Sequence, residues 1–178
     1  PGNIEVEELK DLDFKVGPVR IRAWFANHPG ICVGYRLFTD EGSVAFFPDN
    51  ETHCRYDADG QVQPTRKDAS LDYARAQEEK MLEFIRGADV LILDAQYDRA
   101  EHDEHIGWGH GCVDDVVAVA MKAGVKKLFL FHHDPDHDDA KIDHMLAHAR
   151  QLVTEQKSHL QVHAATEGVV VELARGGK

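Results

Sequence analysis

Apolar residues along this chain follow two periods, a short alternation in the first third and helical stripes interleaved with unbroken apolar runs in the rest. Val19 to Ala26 (VRIRAWFA) is β-branched and aromatic and partly alternating, which predicts a strand, and Asn27-His28-Pro29-Gly30 ends it in a turn. Val33 to Thr39 and Ser43 to Phe47 are two further strands joined through Asp40-Glu41-Gly42, a hairpin signature, so Asp49 stands just past a strand end. Ile4 to Phe14 reads as a strand pair. Residues 51–70 are polar and rich in turn formers, which predicts an excursion loop. Leu71 to Arg86 is a helix with Leu71, Ala74, Met81, Leu82 and Ile85 on one face, ended by Gly87. Val90 to Leu93 is an apolar strand, Cys112 to Lys122 a helix, and Lys127 to Phe131 a second apolar strand. Continuous apolar strands alternating with helices imply βαβ connections in a sheet covered on at least one face. Asp138 to Val153 is a third helix with Ile142, Met145, Leu146, Ala149 and Leu152 inward. Leu160 to Ala164 and Val169 to Leu173, joined through Glu167-Gly168, close the chain as strands.

Composition narrows the reading. With 178 residues, 43% of them hydrophobic, the chain supports a single domain, 1–178, with a substantial core. No run of 18 apolar residues occurs and the start lacks a basic segment followed by an apolar one, so the expectation is a soluble, cytoplasmic protein without a membrane partner. A net charge of -12 removes the long-range basis for binding nucleic acid and favours a small, soluble substrate over a long polynucleotide. Cys32, Cys54 and Cys112 have no CxxC spacing and read as reduced thiols. The 12 histidines, many beside aspartate or glutamate, are the chemically distinctive feature.

Position gives those histidines meaning. His28, Asp49, Asp94 and His132 each stand at or one step beyond the end of a predicted strand, the edge where ligand sites assemble in layered α/β architectures. Two histidines with one or two carboxylates at one sheet edge suit zinc, manganese or iron. His28-Pro29-Gly30 with Gly34-Tyr35-Arg36, then Phe47-Pro48-Asp49-Asn50-Glu51, then Ala88 to Ala95 (ADVLILDA), then Gly107-Trp108-Gly109-His110, then Leu128 to Pro135 (LFLFHHDP), form an ordered series. The series resembles the metallo-β-lactamase superfamily and, more narrowly, its phosphodiesterase and ribonuclease Z-like branch, over about Val19 to Leu173. Ala164 to Val169 is also similar to the end of that fold.

The resemblance implies the C-terminal portion of an α/β, αββα sandwich, a mixed sheet covered by helices. It implies that His28 is the histidine ligand of the third metal motif, Asp49 the aspartate bridging two divalent ions, and His132 the last histidine ligand. Two cations roughly 3.5 to 4 Å apart need an anionic ligand reaching both and neutral nitrogen donors on each, so that a bridging hydroxide stays nucleophilic. His133 competes with His132, because neighbours on a strand face opposite ways; the alignment of the strand favours His132. Asp94 and His110 fall where the ribonuclease Z-like branch places a carboxylate and a histidine, implying a general acid that protonates the leaving alkoxide. Here Asp94 replaces the usual glutamate and Gly111-Cys112 the usual Ser-Thr. The superfamily's first metal motif, H-x-H-x-D-H, does not occur in this chain. The expectation is therefore the C-terminal portion of a longer fold, completed by two divalent metals, zinc foremost, and pairing with the missing N-terminal portion or with a second copy.

Other polar clusters read differently. His102 and His105 are expected to be solvated loop residues. His144 and His148, at i, i+4 spacing, lie opposite the apolar stripe and read as surface. Asp134, Asp136 and Asp138 imitate a calcium loop, but Asp139 takes the required glycine position and Met145 that of the bidentate glutamate, which leaves an acidic loop capping a helix. The expected function is metal-dependent hydrolysis of a small phosphodiester such as a cyclic nucleotide. The alternatives are a lactone or thioester hydrolase, and a non-catalytic binding or scaffold domain without its first metal motif.

Overall fold

A computed structural model describes residues 8–57 and 60–173. Four strands form an antiparallel meander: β1 (Asp13–Val16), β2 (Val19–Phe25), β3 (Val33–Thr39) and β4 (Gly42–Phe47). A small hairpin of β5 (Cys54–Tyr56) and β6 (Val62–Pro64) and the helix α1 (Leu71–Ile85) lead to β7 (Val90–Asp94), which pairs parallel to β4. Helices α2 (Arg99–Glu104) and α3 (Val113–Lys122) precede β8 (Lys127–Phe131), and α4 (Asp139–Glu155) precedes β9 (Gln161–Ala164). The seven-stranded order is β1-β2-β3-β4-β7-β8-β9, antiparallel up to β4 and parallel from there. This is the mixed sheet the sequence predicts.

Alternation decides which side of the sheet is covered. Ala45, Phe47, Leu91, Leu93, Leu128 and Leu130 face one way and are buried with Met81, Ile85, Val116, Val117, Ala120, Met145 and Ala149 of α1, α3 and α4. At about 25 cal/mol per Å² of apolar surface removed from water, this layer is the main source of stability. On the other face Val44, Phe46, Ile92, Phe129 and Phe131 are half-buried or line a groove of about 520 Å³.

That groove explains one departure from expectation. Val169 to Leu173 forms no strand: after a turn at Gly168, φ +79°, the run passes along the second face, where Val169, Val171 and Leu173 line the groove, the two valines still exposed and Val170 more so. Its alternation is used for apolar contact on one side, not for a ladder. The strand pair expected over Ile4 to Phe14 lies partly outside the described residues; of the rest, only Asp13 and Phe14 enter β1.

The stretch 51–70 is not all loop. The β5–β6 hairpin is held by carboxylates from two helices: Tyr56 N donates to Asp115 Oδ1 at 2.8 Å, His53 N to Glu78 Oε2 at 3.0 Å, and Tyr56 OH to Glu78 Oε1 at 3.2 Å. Glu78 is buried in α1, and desolvation pushes its carboxyl up to about 7. The short α2 is set by a capping box in which Asp98 accepts from Glu101 N and the Glu101 side chain accepts from Asp98 N. No helix among the described residues is long and apolar enough to cross a membrane.

Candidate metal and catalytic site

Strand direction brings the site together. β2, β4, β7 and β8 run the same way, so their C-terminal ends share one edge. His28 follows β2, Asp49 follows β4, Asp94 ends β7, and His132 follows β8. His110 comes from the connection between α2 and α3. Donor atoms of Asp49, Asp94, His110 and His132 all lie within 4.8 Å of one another. His28 stands beside them, its ring centroid 5.7 Å from that of His110.

Asp94 is fully buried and saturated. Its Oδ2 accepts from His110 Nδ1 at 2.8 Å and from Asn50 N at 3.1 Å, and its Oδ1 from Gln96 N and Gly111 N, each at 3.1 Å. Burial raises this carboxyl above its usual range against the pull of His110 and the amides. His110 is raised in turn, first by its bond to Asp94. Every backbone partner of Asp94 points a hydrogen at it, so the arrangement favours carboxylate with imidazolium. Asp94 thus has no lone pair to spare for an ion, and it orients His110 despite being one methylene shorter than glutamate. With Nδ1 engaged, Nε2 is the nitrogen from which His110 can release a proton.

Two glycines let that loop approach. Gly109, φ +95°, lies against His28 and Pro29, and a Cβ there would be 2.6 Å from Pro29 Cδ. A Cβ on Gly111 would collide with the Asp94 carbonyl oxygen. His110 stacks on His132 with ring centroids 4.8 Å apart.

Asp49 and His132 face each other, Nε2 to Oδ1 3.3 Å. His132 adopts φ +60°, a left-handed backbone that few non-glycine residues take, immediately after the end of β8. His133 faces the other way, toward Ala165 and His137. The His28 Nδ1 lies 3.1 Å from Gly30 N and 3.3 Å from Gly30 O; the tautomer that donates from Nδ1 to the carbonyl, rather than accepting from the amide, is the one that leaves Nε2 free for an ion. Among the described residues no lysine or arginine forms an ion pair with Asp49, Glu51 or Asp94. The donor set of carboxylate and imidazole therefore fits a divalent cation.

Three contributors carry no role in the sequence reading. Glu51, 2% exposed, accepts from Gly107 N at 2.8 Å and so ties down the loop bearing His110. Asn50 is buried, its amide nitrogen on Asp94 and its Oδ1 on Asn27 N. Cys32 Sγ donates to Asp49 Oδ2 at 3.4 Å. Glu51 and Asn50 adjoin Asp49, which is the only signal for them. His102, expected in solvent, is completely buried in α2. His144 is exposed, while His148 meets Asp114 at 3.2 Å. Asp138 caps α4 by accepting from Lys141 N at 2.8 Å, in keeping with the acidic-loop reading.

No family model matches the chain. It is 35% identical over 100 residues to ribonuclease Z of Brevibacillus brevis, covering 52% of this chain and 30% of that protein. It is 36% identical over 62 residues to ribonuclease Z of Picrophilus torridus, covering 35% of this chain and 20% of that one. Thus the matched segments span under a third of those relatives' length. Among solved structures, the metallo-beta-lactamase fold protein YhfI from Bacillus subtilis aligns with a TM-score of 0.61 at 17% identity, over 88% of this chain and 50% of that one. Human tRNase Z, short form, aligns with a TM-score of 0.55 at 16% identity, over 90% of this chain and 45% of that one. The fold is that of the metallo-β-lactamase proteins, of which this chain spans about half.

Proposed function

We propose that this chain carries the C-terminal half of the active site of a metal-dependent phosphodiester hydrolase. The observation that carries the reading is the convergence of Asp49, Asp94, His110 and His132 within 4.8 Å at one sheet edge, with Asp94 spent on orienting His110. In this reading Asp49, His132 and His28 hold divalent metal, zinc first among the candidates, and upstream residues complete the set. The bound metal would polarise the phosphoryl oxygens and make water nucleophilic near neutral pH. Asp94 fixes the ring of His110 and stabilises its protonated form, and His110 delivers the proton to the departing oxygen. Gly109 and Gly111 admit that ring to the edge.

A small phosphodiester suits the site better than a long RNA. The net charge is -12, and among the described residues no lysine or arginine pairs with Asp49, Glu51 or Asp94 at the centre to guide a polyanion. Trp108, 59% exposed two residues before His110, offers an aromatic surface for an organic substituent. The names of the ribonuclease relatives make precursor RNA the natural comparison substrate. The apolar second face supports a further part of the reading, that an upstream portion or a second copy covers it.

The test is hydrolysis of bis(4-nitrophenyl) phosphate and of precursor tRNA by the full-length protein with added zinc, alongside zinc binding by calorimetry. Asp49→Ala is expected to weaken zinc binding and abolish turnover; His110→Ala is expected to keep zinc and lose about 10²- to 10⁴-fold in kcat. Unchanged turnover in both variants would overturn the mechanism. Preference for precursor tRNA would overturn the substrate class alone.

A further inference from the structure

We infer that the chain holds a second, structural metal site at His102, Cys112 and Asp115, suited to zinc and separate from the sheet-edge cluster. These side chains come from α2, from the N-cap of α3 and from its first turn, and all are 0% exposed. One donor atom from each lies within 4.8 Å of the others.

The decisive residue is His102. Neither of its ring nitrogens makes a hydrogen bond; Nε2 lies 3.3 Å from Glu51 Oε1 without hydrogen-bond geometry. A fully buried imidazole with neither nitrogen hydrogen-bonded is an expensive arrangement for a folded protein, and an ion supplies the missing bond. Cys112 makes no capping bond with its side chain, only a long contact from Sγ to Asp114 Oδ2 at 3.7 Å. Asp115 accepts from Tyr56 N and Arg99 Nη2 on Oδ1 but only from Arg99 Nη1 on Oδ2, which leaves that oxygen a lone pair.

Nitrogen, sulfur and oxygen donors together select zinc over magnesium or calcium. Zinc–ligand bonds of about 2.0 to 2.3 Å place neighbouring donors well under 4.8 Å apart, so small side-chain rotations close the set. On binding, the Cys112 thiol releases its proton to solvent, the zinc ion sheds water, and the Sγ–zinc bond forms. Zinc, the Cys112 thiolate, Asp114, Asp115 and the Arg99 guanidinium are then neutral together. The ion would clamp α2 to α3 at both ends of the connection that presents His110.

The experiment uses the full-length protein carrying Cys32→Ser, because Cys32 adjoins Asp49 and would otherwise supply a thiolate signal at the sheet edge. Loaded with cobalt(II), this protein is expected to show a near-ultraviolet thiolate-to-cobalt charge-transfer band; loaded with zinc, its X-ray absorption is expected to contain a sulfur shell at about 2.3 Å. Both are expected to vanish in Cys32→Ser/Cys112→Ser, with zinc occupancy lower by one equivalent. Absence of sulfur from the zinc shell in Cys32→Ser, or its persistence without Cys112, overturns the site. His102→Gln, which leaves the thiol in place, is expected to lose the same equivalent, and full occupancy in that variant overturns the site too.

Discussion

Replacing Glu78 by glutamine is expected to stabilise the protein in a manner that grows with pH. Glu78 ionises near 4.5 when unfolded, but burial beneath the β5–β6 hairpin pushes it up to about 7. Between those values the unfolded chain gives up the proton first, so stability falls as pH rises and levels off above the folded value. At 1.36 kcal/mol per unit, the loss approaches about 3 kcal/mol by pH 8. Glutamine avoids it and keeps both contacts: its oxygen accepts from His53 N, and its amide donates to the Tyr56 oxygen, in place of the present bonds at 3.0 and 3.2 Å. Urea unfolding at pH 5 and pH 8 measures the difference. The variant should exceed the wild type by about 2 to 3 kcal/mol at pH 8 and by well under half of that at pH 5. A difference that is equal at the two pH values, or larger at pH 5, would refute the reasoning.

Asp94→Asn leaves an amide facing either Asn50 N or the pair Gln96 N and Gly111 N, and should cost about 2 to 4 kcal/mol in urea unfolding; a change below about 0.5 kcal/mol would contradict the hydrogen-bond pattern. Since Asp94 raises His110, and a general acid loses activity as pH rises through its pKa, the alkaline limb of kcat should move to lower pH in Asp94→Asn, with an unmoved limb excluding His110 as the acid. Gly111→Ala drives a Cβ into the Asp94 carbonyl and should lower the melting temperature by several degrees in calorimetry. Zinc at 100 times its Kd should add about 2.7 kcal/mol of stability, reversed by a chelator; Asp49→Ala should lose the share contributed by the sheet-edge site.

The elements legible in the sequence are those that bury a long apolar face. β7, β8 and α3 are unbroken or strongly periodic, and they appear within a residue or two of their predicted limits. The β5–β6 hairpin was hidden because buried polar groups hold it: its anchors, Glu78 and Asp115, lie in other elements, and no local pattern reveals a carboxylate awaiting a backbone amide. Asp98-Arg99-Ala100-Glu101, by contrast, spells the capping box of α2, a local signal that the loop reading of His102 and His105 passes over. Val169 to Leu173 alternates as a strand does, yet alternation reports a one-sided apolar environment and not a hydrogen-bonded neighbour. At the site, positions at strand ends were predictable from register, whereas the burial of His102 depends on how α2 folds back over Glu51.

The parallel half of the sheet also sets an order of events in folding. The meander β1 to β4 closes through short connections, so it can form early from neighbouring segments. Val44 meets Val90 and Leu91 meets Leu128 only after the intervening helices have been threaded across, and each such closure carries the entropy of a long loop. Asp49 and Asp94 become neighbours at the first of these steps and His132 joins at the second. On this topology an ordered meander can precede the gathering of Asp49, Asp94 and His132, so the divalent ion proposed for this edge would act as a latch on the finished sheet rather than as a seed for it.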